Sequence, residues 1–260
     1  MKDQSVKSVI LAVIVVVLGV TISCDHASEE STPVANTSAA EDINKAQQLY
    51  AQREDLTKVR EGVVALRQAT TKDPGNYEAQ WQLAKFNYYL ATHTSDATER
   101  DKAFRDGINA GKTAAQLQPQ KPDGHFWLGA NYGGAAEQSA IQGLSTVDDI
   151  KNEMETVLKI DEGYQNGSAY MVLGLVYLNA PALVGGDPGK AVEVMEKGKA
   201  YGEPNAFFHL NLAKAYAKVG RKDDARNQLD AILKMSPDQN YLPEYKEAST
   251  EAQKLKDDLK

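Results

Sequence analysis

Four times along the chain a leucine is followed at once by a small residue: Leu83-Ala84, Leu128-Gly129, Leu173-Gly174 and Leu212-Ala213, with the leucines 45, 45 and 39 residues apart. Three residues after the small one stand Asn87, Tyr132, Tyr177 and Tyr216. On a helix these positions share one face, where a small side chain admits a neighbouring helix and an aromatic fills the gap beside it. A unit of this kind cannot bury its apolar face alone, so recurrence implies stacked repeats sharing a continuous core. No stretch beyond residue 41 alternates apolar and polar residues between hairpin turns, and the expected fold class is all-α.

A second set of slots falls in register downstream. It reads Gly62, Leu66, Ala69, Pro74; Gly107, Gly111, Ala114, Pro119; Ile150, Met154, Val157, Glu162; Ala191, Met195, Gly198, Glu203; and Ala225, Leu229, Ile232, Pro237. Together the two sets resemble the tetratricopeptide repeat, W-x2-L-G-x2-Y followed by A-x3-F-x2-A-x4-P. The Trp slot is held by Gln80, His125, Tyr170 and His209. Residues 206–239 fit the repeat without insertion, a degenerate unit precedes around Ala46, Leu49 and Gly62, and residues 242–259, mostly polar, are expected to form the terminal capping helix. The expected architecture over residues 41–260 is a tetratricopeptide-like solenoid of antiparallel helix pairs. From the Tyr slot to the next Ala slot the last repeat takes nine steps, whereas the earlier ones take 20, 18 and 14. These insertions predict enlarged interhelical loops gathered at one rim, the face on which repeat proteins often bind.

The N-terminus carries an address. Residues 9–20 read VILAVIVVVLGV behind Lys2 and Lys7, the pattern of a secretory signal and too short for a membrane span. The segment Thr21-Ile22-Ser23-Cys24 resembles a bacterial lipobox, which implies a signal over residues 1–23 and acylation of Cys24. Alternatively Cys24 is a free cysteine beside an uncleaved anchor. Either way the body is tethered to a membrane on its extracytoplasmic side, in the periplasm if the cell has two membranes. Residues 24–40, rich in Ser, Thr and Ala, are expected to be a flexible tether.

Several classes of function drop out. With 29 basic against 36 acidic residues the formal charge is −7, which argues against phosphate neutralisation and hence against nucleic acid. A single cysteine permits neither an internal disulfide nor a cysteine metal cluster. The four histidines are scattered, His125 and His209 sit in packing slots, and neither H-E-x-x-H nor G-x-S-x-G occurs. Neither an enzyme nor a cofactor nor a metal site is expected. Residues 179–190 look like a phosphate loop, but Val184 and Ala191 break the pattern, and Asp187-Pro188 reads as a helix start instead. The acidic pairs Asp148-Asp149 and Asp223-Asp224 are expected just before helices.

First helices of a solenoid line its concave surface. The inward positions are Trp81, Lys85, Tyr88, Phe126, Ala130, Gly133, Met171, Leu175, Leu178, Leu210, Lys214 and Ala217, of which two are charged. With Tyr89 and Phe207 at the margin, this stripe is either a hydrophobic groove for a ligand or plain core under a covering segment. The candidate ligand residues are therefore Trp81, Tyr88, Tyr89, Phe126, Met171, Leu175, Leu178, Phe207 and Leu210. The small-residue run Gly133–Gly143 either permits close packing or leaves room for a ligand.

A lipobox, helical repeats and the loop Ala180-Pro181-Ala182-Leu183-Val184-Gly185-Gly186-Asp187 together resemble the T-component family of tripartite ATP-independent periplasmic (TRAP) transporters. The resemblance implies a helical body pierced by an apolar pore, a hydrophobic small molecule as ligand, and a periplasmic solute-binding protein as partner. A ligand-free scaffold for an envelope complex is the alternative from a different class.

Overall fold

The computed structural model describes residues 38–138 and 140–259. The signal segment, Cys24 and the tether up to residue 37 lie outside the described residues. Eleven α-helices are found among them: α1 (Ala39–Tyr50), α2 (Leu56–Lys72), α3 (Tyr77–His93), α4 (Ala97–Leu117), α5 (Pro122–Gln138), α6 (Ala140–Ile160), α7 (Tyr164–Asn179), α8 (Pro188–Gly202), α9 (Ala206–Lys218), α10 (Lys222–Lys234) and α11 (Leu242–Asp258). They pair in sequence from α1 with α2 to α9 with α10, each pair packs on the next, and α11 lies across α9 and α10.

Short polar side chains start these helices by accepting from backbone N–H groups that have no partner within the helix, each worth about 1 kcal/mol. Ser38 and Glu41 form a reciprocal capping box on α1. Asp55, Asn76, Asp96 and Asn205 cap α2, α3, α4 and α9. Asp187 accepts from Gly189 and Lys190 with Pro188 in the first turn of α8, so the phosphate-loop lookalike is a helix cap. Asp223 and Asp224 sit in the first turn of α10. Asp148 and Asp149 differ from expectation: they lie inside α6, which begins at Ala140.

The same comparison shows where the insertions go. α3 and α5 run to 17 residues and α4 and α6 to 21, against 13 each for α9 and α10. The extra residues of the earlier repeats thus extend their helices by a turn or two, because nothing in 88–106 or 133–149 is strong enough to break a helix except at 94–96. Only between α7 and α8 do they form a loop, with a 3-10 turn at Ala182–Val184.

Small residues set the distance between partners. A methyl group on Gly111 would lie 2.9 Å from the Leu128 Cα, and one on Gly198 would lie 2.5 Å from the Tyr170 Cβ. Three of the four Trp slots are filled by hydrogen bonding rather than by bulk, the exception being Tyr170, whose ring packs against Gly198 and Tyr201. Gln80 donates to the Pro74 carbonyl at 3.2 Å, and Nε2 of His125 and His209 contacts the Pro119 and Glu203 carbonyls at 3.2 and 3.1 Å. In each case the acceptor lies six residues upstream, where the preceding helix has just ended, so the slot ties the turn between repeats.

Gly111→Val should lower stability by about 1–3 kcal/mol in urea titration, since a backbone on the far side cannot move away as a side chain can. Gly133→Ala, at a helical position with open space around it, should leave stability unchanged or raise it by up to about 1 kcal/mol.

Candidate functional site

The inner faces of α3, α5, α7 and α9 curve around a cavity of about 1550 Å³, larger than the roughly 300–1,000 Å³ of an ordinary ligand pocket. Its wall includes the extended helix ends, among them His93, Ala136, Val147 and Asn179, and α11 contributes Glu244, Tyr245, Glu247 and Glu251, with Tyr241 just before it. The inserted residues therefore build the wall as helix instead of draping a loop over it.

Of the nine residues that the sequence places on the concave face, the structure brings six together around this cavity: Tyr88, Tyr89, Phe126, Met171, Leu175 and Phe207. Three do not line it. Trp81 packs half-buried against the N-terminal core and Leu178 against the C-terminal one. Leu210 is fully buried in the cluster that holds Ala248 and Ala252, because α11 packs on α9 and covers the last repeat.

The sequence reading missed Tyr50, Trp127, Val172, Val176 and the residues at and before α11. Trp127 adjoins Phe126, and Val172 and Val176 follow Met171 and Leu175 by one, so a wider helical stripe would have included them. Tyr241 and Tyr245, four apart, are the apolar signal at the start of the otherwise polar terminal segment.

Tyr50 stands at the centre of the N-terminal wall. Its ring contacts Phe86 at 4.9 Å and Tyr89 at 5.7 Å between centroids, with Arg53 at 4.8 Å and the Lys85 ammonium at 3.9 Å. Arg53 is almost wholly buried and grips Glu244 of α11 with both Nε and Nη2, the Nε bond being 2.8 Å. Its Nη2 also donates to the Asn240 carbonyl. Nearby, Lys246 pairs with Glu54 and His93 with Glu247 at 2.9 and 3.0 Å. The terminal helix thus reaches back to the turn after α1, and the superhelix closes into a ring around the cavity.

His93 stacks on Tyr89 at 3.9 Å, with Nε2 facing the Glu247 carboxylate and Nδ1 facing the Tyr89 carbonyl at 2.8 Å. Burial disfavours its charge, but these two acceptors outweigh burial and raise its pKa above the usual value. Burial, followed by the Arg53 cation, lowers Lys85 to about 8.

One stretch of the wall is strained. Gln165, Asn166 and Gly167 are all left-handed, with φ of 48, 53 and 72°. An L-residue held so costs about 1–2 kcal/mol, and such conformations usually occur singly. The Asn205 side chain braces the run, reaching the Asn166 carbonyl and the Ser168 hydroxyl at 3.4 and 3.2 Å. Gln165 and Asn166 both line the cavity. The Asn-Gly pair is the trace of this turn in the sequence.

The family model described as regulator of microtubule dynamics protein 1-3 matches residues 42–177, from α1 into α7. Among solved structures, the thermophilic tetratricopeptide-repeat protein TTC0263 of Thermus thermophilus aligns with a TM-score of 0.60 at 20% identity, covering 81% of this chain and 98% of that one. PilF of Pseudomonas aeruginosa gives 0.52 at 17% identity, covering 84% and 92%. No curated protein matches the chain. At these identities the structural likeness is one of fold, and the fold is the tetratricopeptide solenoid.

Removing Arg53 leaves Glu244 half-buried without its counter-charge and opens space where the guanidinium packed. Arg53→Ala should therefore lower stability by roughly 2–3 kcal/mol in urea titration, and amide exchange at fixed pH should show α11 losing more protection than α4–α8. The raised pKa of His93 fixes the sign of a second effect. The stabilisation is complete below the unfolded value of about 6.5 and fades as pH rises through the folded value above it. The stability difference between the wild type and His93→Gln should accordingly be larger at pH 6 than at pH 8.5.

Proposed function

The chain belongs to the regulator of microtubule dynamics protein 1-3 family, and from that premise we propose that it is a non-enzymatic binding protein, membrane-anchored on the extracytoplasmic side, that holds a hydrophobic small molecule inside its ring of repeats. The observation that carries the reading is the cavity of about 1550 Å³ walled by Tyr88, Phe126, Trp127, Met171 and Leu175. Tyr88, Met171 and Leu175, left partly exposed to this space, forgo burial that packing would have supplied, at roughly 25 cal/mol per Å². An apolar guest recovers it. The size suits a long-chain molecule better than a compact metabolite.

The apolar run 9–20 and Cys24 support the anchor and its address. A relay of the guest to a solute-binding protein, as the resemblance to TRAP T-components implies, is the finer form of the same proposal and is supported by the loop 180–187. The solenoid fold itself favours a second reading, an interaction scaffold whose concave face takes up a segment of a protein partner.

Native mass spectrometry of the chain carrying Cys24→Ser, which no acyl group can modify, separates the two. A stoichiometric adduct that leaves on organic extraction is expected. Met171→Glu, which sets a carboxylate in the apolar wall, should abolish the adduct while leaving helical circular dichroism unchanged. A clean apo mass for the parent chain would replace the small-molecule reading with the scaffold.

A further inference from the structure

Among the described residues, the cavity is lined by one cation that the protein leaves without a carboxylate. Lys214 pairs with Glu251 at 2.9 Å and His93 with Glu247 at 3.0 Å, while Glu244 is held by Arg53. Lys85 has no such partner among the described residues. Its ammonium lies over two aromatic faces, 3.9 Å from the Tyr50 centroid and 6.0 Å from that of Trp127. Ring faces soften the loss of water around a cation but accept none of its three N–H bonds in the way that an oxygen does. Glu137 and Asp238 also line the cavity, but both are exposed to solvent.

Other donors near Lys85 are idle as well. The Tyr50 and Tyr88 hydroxyls, whose rings line the cavity, bond to no other described residue, and the buried indole N–H of Trp127 has no partner among them. Burial and the neighbouring Arg53 hold the Lys85 pKa at about 8, so the amine is still mostly charged at neutral pH. A negative group placed beside it would restore its charged form and supply the missing acceptors. Beyond Lys85 the wall is apolar, with Phe126, Met171, Val172 and Leu175.

We propose that Lys85 anchors the carboxylate head of a long-chain amphiphile whose apolar tail fills the cavity. The proposal rests on the reading of the cavity as a lipophile site and sharpens it from any apolar guest to an anionic one. A neutral head could accept one N–H bond from Lys85 but would leave its charge without a counter-ion. A carboxylate beside this half-buried ammonium forms a charge-assisted hydrogen bond, roughly twice as strong as one between neutral groups. The Arg53–Glu244 clasp is engaged with itself and does not compete for the head.

The test is calorimetric titration of the full chain carrying Cys24→Ser with dodecanoate and, separately, with 1-dodecanol, which has the same tail and no charge. Dodecanoate should bind tighter by about tenfold or more, the scale of a hydrogen bond to a charged group. Lys85→Met should abolish the preference for dodecanoate over the alcohol, and Lys85→Arg should preserve it. Equal affinity of the two ligands for the parent chain, which needs no variant to be read, would overturn the role of Lys85 while leaving the lipophile site intact. So would a Lys85→Met chain that still prefers dodecanoate. Binding of neither ligand would overturn both the anchor and the lipophile reading on which it rests.

Discussion

Close approach of helix backbones at small side chains is the constraint on which everything larger in this protein depends. Where Gly111 faces the backbone of Leu128, or Gly198 the ring of Tyr170, no methyl group fits. Partners held this near fix the pitch from one repeat to the next, and a fixed pitch summed over five pairs bends the row of first helices inward. The cavity is the space inside that bend. Its existence follows from contacts made by neighbouring positions on the same helices, Leu128 beside the lining residue Trp127 and Tyr170 beside Met171.

Lengthening the early helices turns a shallow groove into a deep one. The extra turns of α3 and α5 carry His93, Ala136 and Glu137 to the wall, and the start of α6 adds Leu144 and Val147. Helix is a better wall than loop because its backbone polar groups are already satisfied, so apolar side chains can be presented without burying bare amides. The loop between α7 and α8 is the exception, and its chain is held by an Asp187 N–H bond of 2.7 Å to the Tyr177 carbonyl.

What was legible beforehand was whatever repeats or acts locally. The Leu-small pairs, the Ala and Leu slots and the cap at Asp187 depend on residues within a turn or two, and sequence spacing reports them directly. Helix length was not legible, because a helix continues by default through residues such as those around Asp148 and Asp149, whose acidic pair looked like a start. For the candidate site, the stripe from Tyr88 through Met171 could be read from period alone. Tyr50 and the acidic residues of α11 could not, since contacts between segments at opposite ends of the chain leave no local pattern. Leu210 shows the converse: its period matches that of Met171, yet the terminal helix covers it.

The return of α11 to Arg53 changes what kind of object the repeat array is. In an open solenoid each repeat touches only its neighbours, stability is a sum along a line, and melting proceeds inward from whichever end is weaker. Here the hydrogen bonds from Arg53 to Glu244 span 191 positions and make the first and last repeats neighbours too. A line with its ends joined has no end from which to unravel. Opening the array at this seam must break the Arg53–Glu244 pair, so the repeats should behave more as a single cooperative circuit than as a line of independent units.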